Sequence, residues 1–311
     1  MDHQQNNSIL IMGTGAMACL FAARLSAAGT AVTLFGTWTE GLEALRQHGV
    51  RVVEAERTPV APEHERAYPV QATDNLRDCR GARYALVLVK SWQTNRAADQ
   101  LARCLTKDGL ALTLQNGAGN YELLADVLGT HRVVLGSTTV GATLLSPGRV
   151  RPAGEGVISL GAHPSLAPLA ARLRAAGFVI ENVHDANALL WGKLIINAAI
   201  NPLTALLGFT NGELLQSPSA RALMSAVARE AAAVAVAQGI SLPYPDPVVA
   251  AENIAQRTAE NRSSMLRDVL RHAPTEIDAI NGAIVQAGEQ TGVPTPINRT
   301  LWQLVRALTE A

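Results

Sequence analysis

The chain has 311 residues, long enough for two domains and a substantial core. Its formal net charge is zero, with 48% hydrophobic and 17% charged residues, so no overall field draws it to nucleic acid or to an anionic membrane. Cys19, Cys79 and Cys104 are scattered and form no Cys-x-x-Cys pair, no apolar run is expected to reach bilayer length, and the polar N-terminus lacks signal-peptide regions, so the expectation is a reduced, cytoplasmic protein.

The apolar run Ile9–Met12 reads as a strand, and Gly13-Thr14-Gly15-Ala16-Met17-Ala18 follows it at once. Cys19 to Ala28 reads as a helix closed by Gly29, and a second apolar run, residues 31–35, arrives where the next parallel strand belongs. Strand, Gly-x-Gly-x-x-Ala turn and helix together make the dinucleotide-binding signature. Gly13 permits the tight turn, Gly15 lets the backbone approach a pyrophosphate, and Ala18 keeps helix and strand close. The free N–H groups and positive end of the helix then face the phosphates. Cys19 sits just inside that helix and reads as a small packing residue, the alternative being a thiol of depressed pKa.

The alternation continues, with strands expected at 50–54, 84–89, 110–114 and 133–139 and helices at 38–48, 93–104 and 119–128. Residues 57–66, charged and carrying Pro59 and Pro62, read as a surface loop. Runs at 150–151, 157–160 and 178–181 add strands, and His163-Pro164 opens a helix that Gly177 closes. From residue 185 the strand signal fades, and helices are expected at 186–207, 218–238, 247–259, 264–270, 276–291 and 296–308. The expected architecture is a Rossmann-type, doubly wound α/β domain over residues 1–184 and an all-helical substrate domain over 185–311, with the substrate cleft between them.

Within the helical half, Lys193, Asn197 and Asn201 are spaced i, i+4, i+8 and share one face of an otherwise apolar helix. A solvated outer face would carry several charges, whereas this stripe has one lysine and two amides. The amides suit recognition, and a partly desolvated lysine suits a general acid. Asn261, Ser264 and Glu276 form a second polar group, against which stands helix capping by Ser263 or Ser264 and by Thr275 with Asp278. Lys90-Ser91-Trp92-Gln93 and Gln115-Asn116-Gly117 follow strand ends, where open α/β sheets bind ligands, although Asn-Gly is also ordinary turn chemistry. The seven histidines are scattered and nothing suggests a metal site or a Gly-x-Ser-x-Gly nucleophile turn. The Ala-rich helix around Met224, Val227, Val234 and Val236 reads as core, with a dimer contact as the alternative.

Taken in order, these segments resemble the ketopantoate reductase (2-dehydropantoate 2-reductase) family. The matching pieces are Gly13–Ala18, residues 89–94, Gln115-Asn116-Gly117, residues 191–205, Asn211-Gly212-Glu213-Leu214, residues 259–268 and residues 275–282. The first is generic, while the lysine–asparagine helix, Asn-Arg-Ser-Ser-Met-Leu and Thr-Glu-Ile-Asp are far more specific. The resemblance implies NADPH-dependent reduction of ketopantoate to pantoate, the precursor of pantothenate. It implies Lys193 as proton donor and Glu276 as the acidic partner near the nicotinamide ribose and the reacting centre. Asn116, Asn197, Asn201, Asn211, Asn261 and Ser264 are implied as substrate contacts. Gly13, Thr14, Gly15, Ala16, Met17, Ala18, Lys90, Gln93, Asn116, Gly141, Ala142 and Glu276 are implied on the cofactor side.

One departure stands out. The family often has an arginine after the second strand to meet the 2′-phosphate of NADPH, and here Phe35 is followed by Gly36-Thr37-Trp38. No acid stands there either, so an NADH-type ribose contact is equally unsupported. Thr37 and backbone N–H groups are the expected phosphate holders, with Trp38 lying on the adenine or else packing on the next helix. NADPH is the expected cofactor by family precedent, with NADH not excluded. A small keto acid is the expected partner, without nucleic acid or membrane, and the chain is expected to be a monomer or homodimer. The alternatives are reduction of a different 2-keto acid or an imine on the same fold, or a non-catalytic NADP(H)-responsive regulator, against which the intact lysine, asparagines and glutamate argue.

Overall fold

The computed structural model describes residues 8–54 and 64–310, and they fall into two compact units: residues 8–115 with 120–186, and residues 116–119 with 187–310. In the first unit an eight-stranded sheet is built from β1 (Ile9–Met12), β2 (Val32–Phe35), β5 (Gln71–Thr73), β6 (Ala82–Val87), β7 (Leu105–Thr113), β8 (Val133–Thr138), β11 (Val157–Gly161) and β12 (Val179–Val183). Its order is β12-β11-β8-β7-β6-β1-β2-β5, parallel throughout except where β11 meets β8. β1 sits centrally, with Ile9 to Met12 in register with Val32 to Phe35 on one side and Tyr84 to Val87 on the other. Such doubly covered strands read as continuous apolar runs, which is why they were legible in the chain.

β3 (Val50–Glu54) and β10 (Arg149–Pro152) do not join this sheet. They pair in parallel within a separate four-stranded sheet, β4-β3-β10-β9, completed by β4 (His64–Tyr68) and β9 (Ala142–Ser146). The expected loop at 57–66 is therefore overturned at its end, since His64 to Arg66 are paired strand, while residues 57–63 lie outside the described residues. The smaller sheet packs on α1 (Ala16–Ala27), the helix of the Gly-rich motif. With a sheet on each side, α1 is apolar nearly all round and buries Ala18, Cys19, Leu20, Phe21, Ala22, Ala23 and Leu25. Flanking helices are α2 (Thr39–His48), α3 (Thr94–Cys104), α4 (Asn120–Leu128) and α5 (Ala167–Ala175).

The second unit is helical: α6 (Ala186–Leu207), α7 (Glu213–Gln216), α8 (Pro218–Ala237), α9 (Pro247–Arg257), α10 (Ser264–Leu270), a π-helical turn Asp278–Gly282, α11 (Ala283–Thr291) and α12 (Pro296–Glu310). Its core runs from Trp191, Leu194 and Ile195 through Met224, Val227 and Val234 to Leu301 and Val305. Val236, grouped with the core residues of α8 in the sequence, instead points outward and is 66% exposed. The expectation that no apolar run reaches bilayer length also needs correcting. α6 is long and apolar enough to span a membrane, yet 72% of its apolar window is buried inside the protein, as befits a central core helix.

Candidate active site

In the first unit the Gly-rich turn has the geometry that its sequence asks for. Gly13 has φ +122°, and a Cβ there would meet the Leu88 carbonyl oxygen at 3.1 Å, so the turn passes hard against the end of β6. A Cβ on Gly15 would meet nothing within 4 Å. That open space lies at the N-terminus of α1, where Gly15 provides no side-chain cap and the first turn holds no acid. N–H groups of a first helical turn have no partner inside the helix, so this cradle suits a pyrophosphate. Thr14 turns its side chain toward the end of β2, where a Cβ on Gly36 would collide with it at 2.7 Å, and its carbonyl accepts from the Cys19 thiol at 3.6 Å. Burial pushes that thiol up to about 12, which makes Cys19 the packing residue rather than a reactive one.

Thr37 is exposed just beyond β2, and the Trp38 ring lies against Gly41 of α2, the packing alternative of its two readings. Lys90 precedes a short 3₁₀ turn, Ser91–Gln93, in which the Gln93 N–H donates to the Lys90 carbonyl at 2.9 Å. Gln115 proves to be a brace: its Nε2 donates to the Val89 carbonyl (3.0 Å) and to Thr94 Oγ1 (2.8 Å), and its Oε1 accepts from Thr113. Thr94 in turn bonds Asn120 at 2.8 Å, so a buried polar chain holds both strand-end loops in shape. Neither Thr94 nor Asn120 was singled out from sequence, because nothing local marks a threonine as buried and bonded. Gly141 and Ala142 open β9 in the smaller sheet, where the Gly141 carbonyl accepts from Ala153 at 2.9 Å.

In the second unit Lys193, Asn197 and Asn201 lie along α6 as their spacing requires. The face is not a solvated one: Lys193 and Asn197 are half-buried and Asn201 is buried. Removal from water pulls the Lys193 ammonium from its usual value down to about 8, and the carboxylate of Glu276, itself buried, acts in the opposite sense. Tyr244, which the sequence did not flag, fixes the helix turn at Lys193. Its hydroxyl donates to the Gly192 carbonyl at 2.8 Å, and a Cβ on Gly192 would meet Pro243 at 2.6 Å.

The capping alternatives resolve residue by residue. Ser263 is the cap of α10, accepting from Leu266 N at 3.1 Å, and it bonds Thr204 of α6 at 2.7 Å, while Ser264 is exposed as the first helical residue. Thr275 does not cap the turn that contains Asp278, whose N-cap position is Ile277 without a side-chain bond, and Asp278 accepts from Trp302 Nε1 at 2.6 Å. Asn211 and Asn261 are joined through the backbone, Asn211 N to Asn261 O at 2.9 Å. The Asn211 amide donates to Thr258 at 2.8 Å, but its buried Oδ1 has no hydrogen-bond partner. Buried acceptors are normally bonded, so this orphan fits a donor-bearing ligand. Asn116 belongs to this unit. The Asn116–Gly119 turn lands on Ala279, with Ala118 N donating to the Ala279 carbonyl at 2.9 Å, and Gly117 (φ +87°) comes so close that a Cβ would sit 2.6 Å from that oxygen.

Sequence models of the family described as Ketopantoate reductase PanE/ApbA match residues 9–165 and, for its C-terminal part, residues 185–309. The chain belongs to the ketopantoate reductase family. It is 37% identical over 305 residues to the 2-dehydropantoate 2-reductase of Archaeoglobus fulgidus, covering 96% of this chain and 97% of that protein. The Halobacterium salinarum protein of the same name is 34% identical over 304 residues, with 96% and 97% covered. A PanE/ApbA family ketopantoate reductase from Ralstonia eutropha superposes with a TM-score of 0.90 at 33% identity, covering 97% of this chain and 98% of that one. D-mandelate dehydrogenase with NADH and anilino(oxo)acetate superposes at 0.88 with 26% identity, covering 97% and 98%. The protein is thus an oxidoreductase of the ketopantoate reductase family.

Proposed function

We propose that this protein reduces ketopantoate to pantoate with NADPH, a step toward pantothenate and coenzyme A, with Lys193 as the proton donor. In this reading residues 1–184 hold the cofactor and residues 185–311 bind the substrate. Held at the Gly13–Ala18 turn, the cofactor would supply the hydride for the keto carbon. Negative charge then grows on the carbonyl oxygen, where a positioned ammonium gives up its proton and acts more strongly on the transition state than on the ground state. The observation that carries the reading is the polar face of α6, on which half-buried Lys193 stands in line with Asn197 and Asn201; burial brings its ammonium down to about 8, and the buried Glu276 opposes that fall. Such an acid is about nine-tenths protonated at neutral pH and gives up its proton far more readily than an exposed lysine.

Asn197, Asn201, Asn116, Asn211, Asn261 and Ser264 orient the polar substrate, and the orphaned Asn211 oxygen offers an acceptor to a substrate hydroxyl. On the cofactor side, Gly13, Gly15, Ala16, Met17 and Ala18 cradle the pyrophosphate, and Lys90, Gln93 and the Gly141–Ala142 backbone contact the rest. Thr37 and neighbouring N–H groups take the 2′-phosphate in place of the family's arginine.

The test is steady-state reduction of ketopantoate by NADPH with the Lys193→Met protein. The expected result is a loss of kcat of about a hundredfold or more with NADPH affinity retained. Turnover close to the parent would remove Lys193 from the mechanism. A second reading, a different 2-keto acid with NADH, draws on Thr37 and on the structural likeness to D-mandelate dehydrogenase with NADH. A panel of keto acids with each cofactor separates the two, and ketopantoate ranking last would defeat the first.

A further inference from the structure

Pro202 lies inside α6, the helix that bears Lys193, Asn197 and Asn201. A proline there lacks the N–H that would bond the carbonyl four residues back, which is that of Ala198. Ala198 is fully buried, so water does not make good the loss. Asn281 does: its Nδ2 donates to the Ala198 carbonyl at 3.3 Å. Asn281 lies in the π-helical turn Asp278–Gly282 that follows Glu276, a wide turn of the kind that recurs at functional sites.

The same Nδ2 donates to Asn298 Oδ1 at 3.0 Å. Asn298 Nδ2 donates to Glu230 Oε2 at 2.9 Å and to the Val227 carbonyl at 3.3 Å. The Glu230 carboxylate also accepts the Ile297 and Asn298 N–H groups, each at 3.0 Å, at the start of α12. Carboxylate and carbonyls only accept, so both amide orientations are forced along the chain. That leaves Asn281 Oδ1 buried without a partner, a cost the fold bears in order to keep two donations from Nδ2.

We propose that Asn281 is a positioning residue for the reaction: it pins the turn that follows Glu276 to the helix bearing Lys193, and Asn298 and Glu230 hold it there. The inference rests on reading Lys193 and Glu276 as the working pair. The competing account is that Asn281 only repairs the gap left by Pro202.

The double variant Asn281→Ala with Pro202→Ala separates them. The alanine at 202 restores a helical N–H to the Ala198 carbonyl, so this variant keeps that group satisfied where Asn281→Ala alone does not. If Asn281 positions, thermal stability recovers toward the parent in the double variant while kcat for ketopantoate reduction stays about tenfold or more down and KM for NADPH is unchanged. Recovery of kcat together with Tm would overturn the proposal.

A second readout needs no substrate. Lys90, Lys107 and Lys193 are the chain's lysines, so lysine-labelled NMR, assigned with Lys193→Met, follows the Lys193 titration directly. Glu276 is the charged group acting on Lys193, and nearby Tyr244 stays neutral because burial pushes it to about 12. A displaced Glu276 lowers the Lys193 midpoint in the double variant, and a midpoint equal to the parent's would overturn the proposal. Lys193→Met and Glu276→Gln assayed alongside show whether the working pair itself fails: if both keep parental turnover, that reading falls, and the NMR midpoint still decides what Asn281 does.

Discussion

Replacing Glu276 by Gln keeps the side chain's shape and removes its charge. Lys193 stands at about 8 because desolvation, the larger effect, lowers it and Glu276 raises it. Without the carboxylate, desolvation acts unopposed and the Lys193 pKa falls below about 8. For a fall of one unit, the protonated fraction at pH 8 drops from about one half to about one tenth, while at pH 6 it stays at about nine-tenths. A general acid must be protonated to act, so the high-pH limb of kcat moves to lower pH. Measured over about pH 6 to pH 9 at saturating NADPH and ketopantoate, the variant is expected to lose more kcat at pH 8 than at pH 6, about fivefold more for a one-unit fall. A limb in the same place as the parent's would refute the coupling. Stability follows with its own sign. The folded-state pKa of Lys193 lies below its unfolded value, so the unfolded chain binds more protons between about pH 8 and pH 10.4. Stability from this group is therefore gained as pH rises through that window, by at most about 3 kcal/mol, less because the side chain keeps some contact with water.

Gly13→Ala forces a side chain into φ +122° against the Leu88 carbonyl, and is expected to cost about 1–3 kcal/mol in thermal unfolding and to weaken NADPH binding by fluorescence titration. Thr37→Arg supplies the missing fork for a 2′-phosphate and is expected to raise the NADPH-over-NADH ratio of kcat/KM by about tenfold or more; an unchanged ratio would place the phosphate elsewhere. Cys19, Cys79 and Cys104 are buried and free, and the hydrogen-bonding contact between the thiols of the last two raises Cys79 and lowers Cys104. Despite that polarisation, a thiol-reactive dye is expected to label none of them at a measurable rate until denaturant is added, and rapid labelling of the native protein would contradict their burial.

The Gly13–Ala18 turn, its flanking strands and the helices after residue 185 were legible because each rests on local order: apolar runs, Gly and Pro punctuation, and a 3.6-residue period. β4 and β9 were not, since His64–Tyr68 is polar and mostly exposed and Ala142–Ser146 is half-buried throughout, so neither carries a clean alternation. The short helix α7 is likewise a single turn, too brief to show a period. Asn197 and Asn201 stood out because amides are out of place on an apolar helix. Tyr244, Thr94 and Asn281 did not, because their importance lies in carbonyls and hydroxyls far away in the chain.

By itself, then, the order of residues determined which segments become strand and helix, where the Gly-rich turn falls and which polar groups share the face of α6, because backbone sterics and side-chain periodicity act over a few neighbours. Only the folded chain decided that β3 and β10 leave the main sheet for one of their own, that Lys193 loses enough water for its pKa to fall, and that Asn281 answers the carbonyl orphaned by Pro202. Strand partners, dielectric surroundings and hydrogen-bond partners are set by groups distant in sequence, and they take effect only when the chain brings those groups within a few ångströms.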